Sequence, residues 1–184
     1  MKIISWHGGA FSEQSGRRLV ELVSNAQGRI VLPLTEQEVK DARQIASDPH
    51  ERTAFAKNSL HLTDPYFLAI WAMGQGKEVS HLRTKAYDEI ARRWGHLARN
   101  LDALPSGANA DAYMLRQLHA AEAQRALHQF ERFRNDKPAL ILAEETTAAV
   151  LGRMFRTRPT YLTKPSREAR RLARKIAGHA IRLI

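Results

Sequence analysis

The 184 residues contain no cysteine, which removes disulfides, thiolate metal sites, iron–sulfur clusters and cysteine nucleophiles together and fits a reducing compartment. Long apolar runs are missing as well. The longest, Tyr66 to Met73, stops at Gly74, far short of the ~20 residues that cross a bilayer, so no transmembrane segment is expected. Residues 1–9 carry one lysine and a brief apolar stretch, without the length or small-residue cleavage pattern of a secretory leader, and a cytoplasmic location is the expectation. Gly-x-Ser-x-Gly, His-Glu-x-x-His, phosphate-loop and dinucleotide patterns are all lacking, so no standard active site is written in the chain. What is present, 43% hydrophobic and 26% charged residues, is the composition of a globular domain large enough to bury roughly 70% of its unfolded surface.

The least even property is the charge. Residues 1–152 are close to neutral, whereas residues 153–184 set ten cations against Glu168 alone, a balance of +9 within a total of +10. The ten are Arg153, Arg156, Arg158, Lys164, Arg167, Arg170, Arg171, Arg174, Lys175 and Arg182. Cations gathered in this way repel one another and are relieved by a polyanion, whose condensed counterions they release. Pro165 and Ser166 provide a helix start. At about 100° per residue, six of the cations then share one arc opposite Ala169, Leu172, Ala173, Ile176, Ala177, Ala180, Leu183 and Ile184. The segment reads as a helix docked on a globular domain of residues 1–152, with nucleic acid, expected to be DNA, as the partner of its basic face. An anionic membrane surface, a protein partner or plain solvation of the face are the other readings. Eight of the ten cations are arginine, whose guanidinium makes paired hydrogen bonds to phosphate oxygens, and the helix lacks the Trp or Phe usual at a membrane interface.

Periodicity and punctuation predict an α/β, α-rich fold with a small parallel sheet of three or four strands, a long helical hairpin and the basic C-terminal amphipathic helix. Strands are expected at 2–6, 29–34, 139–143 and 161–162, with the first two adjacent and parallel across a helix over 12–26. The glycine pair Gly8-Gly9 would then turn at the end of the first strand. Thr35 to Glu38 spells a capping box for a helix to Ser47. Asp48-Pro49 and Asp64-Pro65 open helices over 49–59 and 65–73, the latter apolar all round and so expected at the centre of the core. The hairpin is expected over 79–104 and 109–134, and a helix from Thr146 or Thr147 through Phe155.

Three constellations could carry chemistry. Residues 89–104, with Ala91, Gly95 and flanking apolar positions, resemble the helix–turn–helix of bacterial regulators. That resemblance implies Arg99 and Asn100 facing bases and Arg92 and Arg93 near phosphates. Leu97 stands where such motifs cap the second helix with Ser or Thr, and the 3-4-3-4-3 spacing of Tyr87, Ile90, Trp94, Leu97, Leu101 and Leu104 favours one continuous helix. His119-x-x-Glu122 and His128-x-x-Glu131 lie nine residues apart, on opposite sides of a helix, and read as separate surface ion pairs rather than a metal site. Glu144-Glu145, after a buried strand, could hold Mg²⁺ for phosphodiester hydrolysis, or act as first-turn acids that favour the next helix. The functional expectation is a non-enzymatic nucleic-acid-binding accessory or regulatory protein that needs no cofactor. Two alternatives stand beside it: a metal-dependent nuclease or other phosphate-processing enzyme, and an inhibitory interaction module.

Overall fold

The computed structural model describes residues 1–6, 13–58, 64–86, 88–89, 92, 124–162, 171, 174–176 and 178. Five strands form one all-parallel sheet: β1 (Lys2–Trp6), β2 (Ile30–Leu32), β3 (Val79–His81), β4 (Leu140–Glu144) and β5 (Thr160–Tyr161), in the order β3-β2-β4-β1-β5. The helices are α1 (Glu13–Ser24), α2 (Glu36–Ser47), α3 (Pro49–Asn58), α4 (Pro65–Gly74), α5 (residues 124–134) and α6 (Glu145–Met154).

Local signals explain most of these elements. Thr35 accepts from the Glu38 amide while the Glu38 carboxylate takes the Thr35 N–H, which closes the predicted capping box. Asp48 and Asp64 accept the His50 and Tyr66 amides, each followed by its proline, and so start α3 and α4.

Alternation along the strands sorts side chains to the two faces. Ile4, Ile30, Leu32, Leu140 and Leu142 meet Leu19 and Val23 of α1, Val39 and Ala42 of α2 and Leu68 and Ala69 of α4. Ile3, Val31, Ile141 and Ala143 point the other way, onto Phe133 of α5 and Ala148 and Leu151 of α6. Leu140 to Ala143 are completely inaccessible, the pattern of a strand covered on both faces.

Four expectations need correction. The sheet has five strands, not three or four, because residues 79–81 are the edge strand β3 rather than the start of a long helix. The Ile30 amide donates to Glu78 and the Leu82 amide to Leu32, so β2 captures this segment. β1 and β2 are parallel but not adjacent; the apolar β4 lies between them and pairs with both. α4 is not enclosed on every side: Leu68, Ala69, Ile70 and Ala72 are buried, while Phe67, Trp71 and Met73 stay partly exposed, Trp71 and Met73 packing against the edge of the core. α6 starts at Glu145 with no intervening loop, rather than at Thr146 or Thr147. Of the expected hairpin, residues 85–86, 88–89, 92 and α5 are helical; the rest of it, the Gly8-Gly9 turn and residues 163–170 lie outside the described residues.

Candidate nucleic-acid interface

α6 ends in an unusual way. The Arg156 amide donates to the Arg153 carbonyl at 3.2 Å and the Thr157 amide to the Gly152 carbonyl at 2.7 Å, the paired bonds of a Schellman terminus. The residue that must turn left-handed in this motif is normally glycine, yet here it is Arg156, at φ 52°, with its side chain exposed. A non-glycine residue in this region costs roughly 1–2 kcal/mol. Gly152 makes the turn possible from the other side, since a Cβ there would lie 2.5 Å from Pro159 Cγ and 2.8 Å from the Thr157 carbonyl. The Phe155 ring closes the end of α6 against Phe130 of α5, centroids 4.8 Å apart. Arg153, Arg156 and Arg158 are thereby presented to solvent on a turn held firmly by backbone and ring contacts.

The second group of cations lies on the C-terminal segment. Residues 171, 174–176 and 178 are helical; Arg171, Arg174 and Lys175 are exposed, and Ile176 between them and the core is fully buried against Ala126 of α5 and Val150 of α6. This is the division that the two opposed arcs predict. Met154 packs partly buried against the same cluster, so the end of α6 and the C-terminal segment share one small apolar anchor. Lys164, Arg167, Arg170 and Arg182 lie outside the described residues.

α5, which supplies Ala126 to that anchor, is itself pinned to β3 and the segment after it. The Gln129 amide donates to the Leu82 carbonyl at 2.8 Å, the Arg132 guanidinium to the His81 carbonyl at 2.8 Å, and His128 shares a hydrogen bond of 3.1 Å with Thr84. His128 therefore has a part-buried structural partner in Thr84, where the spacing suggests a surface pairing with Glu131. Burial, and after it the Arg132 charge, hold the His81 imidazole below its ordinary value.

The remaining candidates are scattered. Arg92 is helical and exposed; its three companions in the helix–turn–helix reading, Arg93, Arg99 and Asn100, lie outside the described residues, as do His119 and Glu122. Glu144 is exposed at the carboxyl end of β4, opposite Trp6 in register, and makes no side-chain cap hydrogen bond. β1 leads to α1 on one face of the sheet and β4 to α6 on the other, so Glu144 and Glu145 stand at a topological switch point, where open α/β sheets bind ligands. Among the described residues no group of three or more His, Asp or Glu side chains converges to hold a metal ion. No helix among them is long and apolar enough to cross a membrane.

Comparison with protein-family models, with curated proteins and with solved structures gives no match. The functional reading therefore rests on the residues themselves. The exposed left-handed arginine was the feature hardest to read from sequence; Pro159, three residues after Arg156, is a local hint that the helix does not continue.

Proposed function

We propose that this protein binds nucleic acid, in the first instance DNA, through the basic surface formed by the end of α6 and a basic C-terminal helix, in an accessory or regulatory role. The observation that supports the reading is that two arginine-rich groups, Arg153, Arg156 and Arg158 at the end of α6 and Arg171, Arg174 and Lys175 on the C-terminal segment, are exposed on elements that share the apolar anchor of Ile176, Val150 and Met154. A helix whose apolar face is docked offers its cations in a fixed array, so phosphate contacts cost less ordering entropy than they would from a free tail. The strained Arg156 adds a second argument: the chain spends backbone energy to place a guanidinium where glycine would be more stable. Arg167, Arg170, Arg182 and Lys164 extend the same surface in this reading.

The test is binding of labelled single- and double-stranded DNA and RNA, with and without Mg²⁺, by the natural chain and by a variant with Arg171, Arg174 and Lys175 changed to alanine. A retarded, intact nucleic acid with the natural chain and strong weakening in the folded variant support the proposal. Equal binding by both proteins, or binding to anionic vesicles but to no nucleic acid, overturns it. The second reading, a Mg²⁺-dependent nuclease or other phosphate-processing enzyme, is favoured by the place of Glu144 and Glu145 at the switch point; shortened products in the Mg²⁺ lanes are its signature.

A further inference from the structure

The cations of the basic surface are used differently from those elsewhere on the molecule. Arg29, Lys40 and Arg83 pair with Asp136, Glu36 and Asp88. Arg153, Arg156, Arg158, Arg171, Arg174 and Lys175 are all exposed, and among the described residues none of the six has a carboxylate partner. Glu168 is the one acid in residues 153–184, so the segment cannot neutralise its own charge.

The side chains that accompany these cations narrow the ligand. Proteins that hold single strands stack successive bases on aromatic rings. Phe155 and Tyr161 are the only Phe, Tyr or Trp in residues 153–184, and both are occupied: Phe155 packs on Phe130 with centroids 4.8 Å apart, and Tyr161 is a half-buried strand residue opposite Ser5 of β1 with contacts of its own. Adenine is read by Asn or Gln, and residues 153–184 contain neither. Arginine alone reads guanine, but only from within a major groove roughly 8.5 Å deep. Ile176, fully buried against Ala126 and Val150, seats the C-terminal segment on the domain at that turn, so about half of a helix ~10–12 Å across stands clear of the protein. A helix set down in this way meets phosphates at the rim of a groove rather than base edges on its floor.

We infer that the basic surface takes double-stranded DNA by its phosphate backbone and does not discriminate base sequence. The inference rests on the nucleic-acid reading above and adds to it the class of substrate. Contacts to phosphate fix a protein's position on the duplex but carry no sequence information directly. Guanidinium groups on two separate elements, the end of α6 and the C-terminal segment, suit a ligand with two backbones, because a duplex carries one charge for every ~1.7 Å of its axis, twice the density of either strand. Arg156 fits the same use: its turn, held by two backbone hydrogen bonds, supplies a cation at a fixed place, which is all that a phosphate contact requires. A protein held in this manner slides and hops along DNA instead of stopping at one site.

The experiment is a competition assay with the full chain at about 0.1 M salt, read by the fluorescence anisotropy of a labelled DNA duplex of mixed sequence. The unlabelled competitors are duplexes of several unrelated sequences and a single strand of equal length. The duplexes are expected to compete within about fivefold of one another, since a sequence reader loses roughly fivefold or more for one wrong base pair. The single strand should be at least about fivefold weaker, because each phosphate contact to it contributes ~0.7 rather than ~0.9 to the log–log salt slope. Changing Arg171, Arg174 and Lys175 to alanine should weaken every duplex by the same factor. One duplex ahead of the rest by more than about fivefold, or a single strand within about fivefold of the duplexes, overturns the inference and leaves nucleic-acid binding in place. Absence of binding to every DNA, or full affinity in the folded variant, overturns the nucleic-acid reading and this inference together.

Discussion

Arg156→Gly is expected to make the protein more stable and a weaker nucleic-acid binder at once. Arg156 holds φ at 52° in the Schellman terminus of α6, with both motif hydrogen bonds intact, and relief of the left-handed penalty is worth roughly 1–2 kcal/mol. Glycine returns part of this by widening the unfolded ensemble, about 0.4–1 kcal/mol. The net gain is about 0–1.6 kcal/mol, which for a chain of this length raises Tm by up to about 6 °C. The exposed guanidinium has no packing role to lose. Urea unfolding reads the gain as a higher midpoint at unchanged slope, and a parallel titration with DNA reads the lost phosphate contact. A lowered midpoint would refute the argument from strain, and unchanged DNA affinity would refute the functional reason offered for it.

Gly152→Ala should act in the opposite direction: the added Cβ would meet Pro159 and the Thr157 carbonyl well inside contact distance, and the overpacking cost of about 1–3 kcal/mol exceeds the helix-propensity gain of about 1 kcal/mol, so Tm should fall. His81 makes stability depend on pH. Burial and the Arg132 charge depress its folded value, so the unfolded chain takes the proton more readily; the contribution is whole above about pH 6.5 and is lost as pH drops through the folded value. Melting curves across this range should show Tm falling on acidification, and His81→Asn should flatten that fall. Glu144→Gln should shift stability by no more than the ~0.3–1 kcal/mol of a helix-dipole effect and leave DNA binding intact; Mg²⁺-dependent cleavage abolished by this substitution in folded protein would establish the enzymatic alternative instead.

The elements that sequence revealed are those whose cause is local. The Thr35 capping box, the two Asp-Pro starts and the buried run at 139–143 carry their own instructions within four or five residues, and each is found within a residue or two of its expected bounds. β3 was hidden because three residues are too few for alternation to speak, and because its partner, Ile30 to Leu32, lies nearly fifty residues away. The insertion of β4 between β1 and β2 is long-range for the same reason: pairing order depends on which strand is most apolar on both faces, which only the assembled sheet decides. The basic segment was legible as charge and as two opposed arcs, and the burial of Ile176 beside exposed Arg174 and Lys175 agrees with those arcs. What charge counting could not supply was the turn at Arg156, since its left-handed backbone runs against the residue type.

The measurement closest to the central claim is the salt dependence of DNA affinity for the natural chain and for the variant with Arg171, Arg174 and Lys175 changed to alanine. If the six exposed cations of the described surface all meet phosphates, log affinity should fall with log salt at a slope of about −5, and the variant should flatten it by about 2.7. A slope near zero for the natural chain, or the same slope for both folded proteins, would contradict the account.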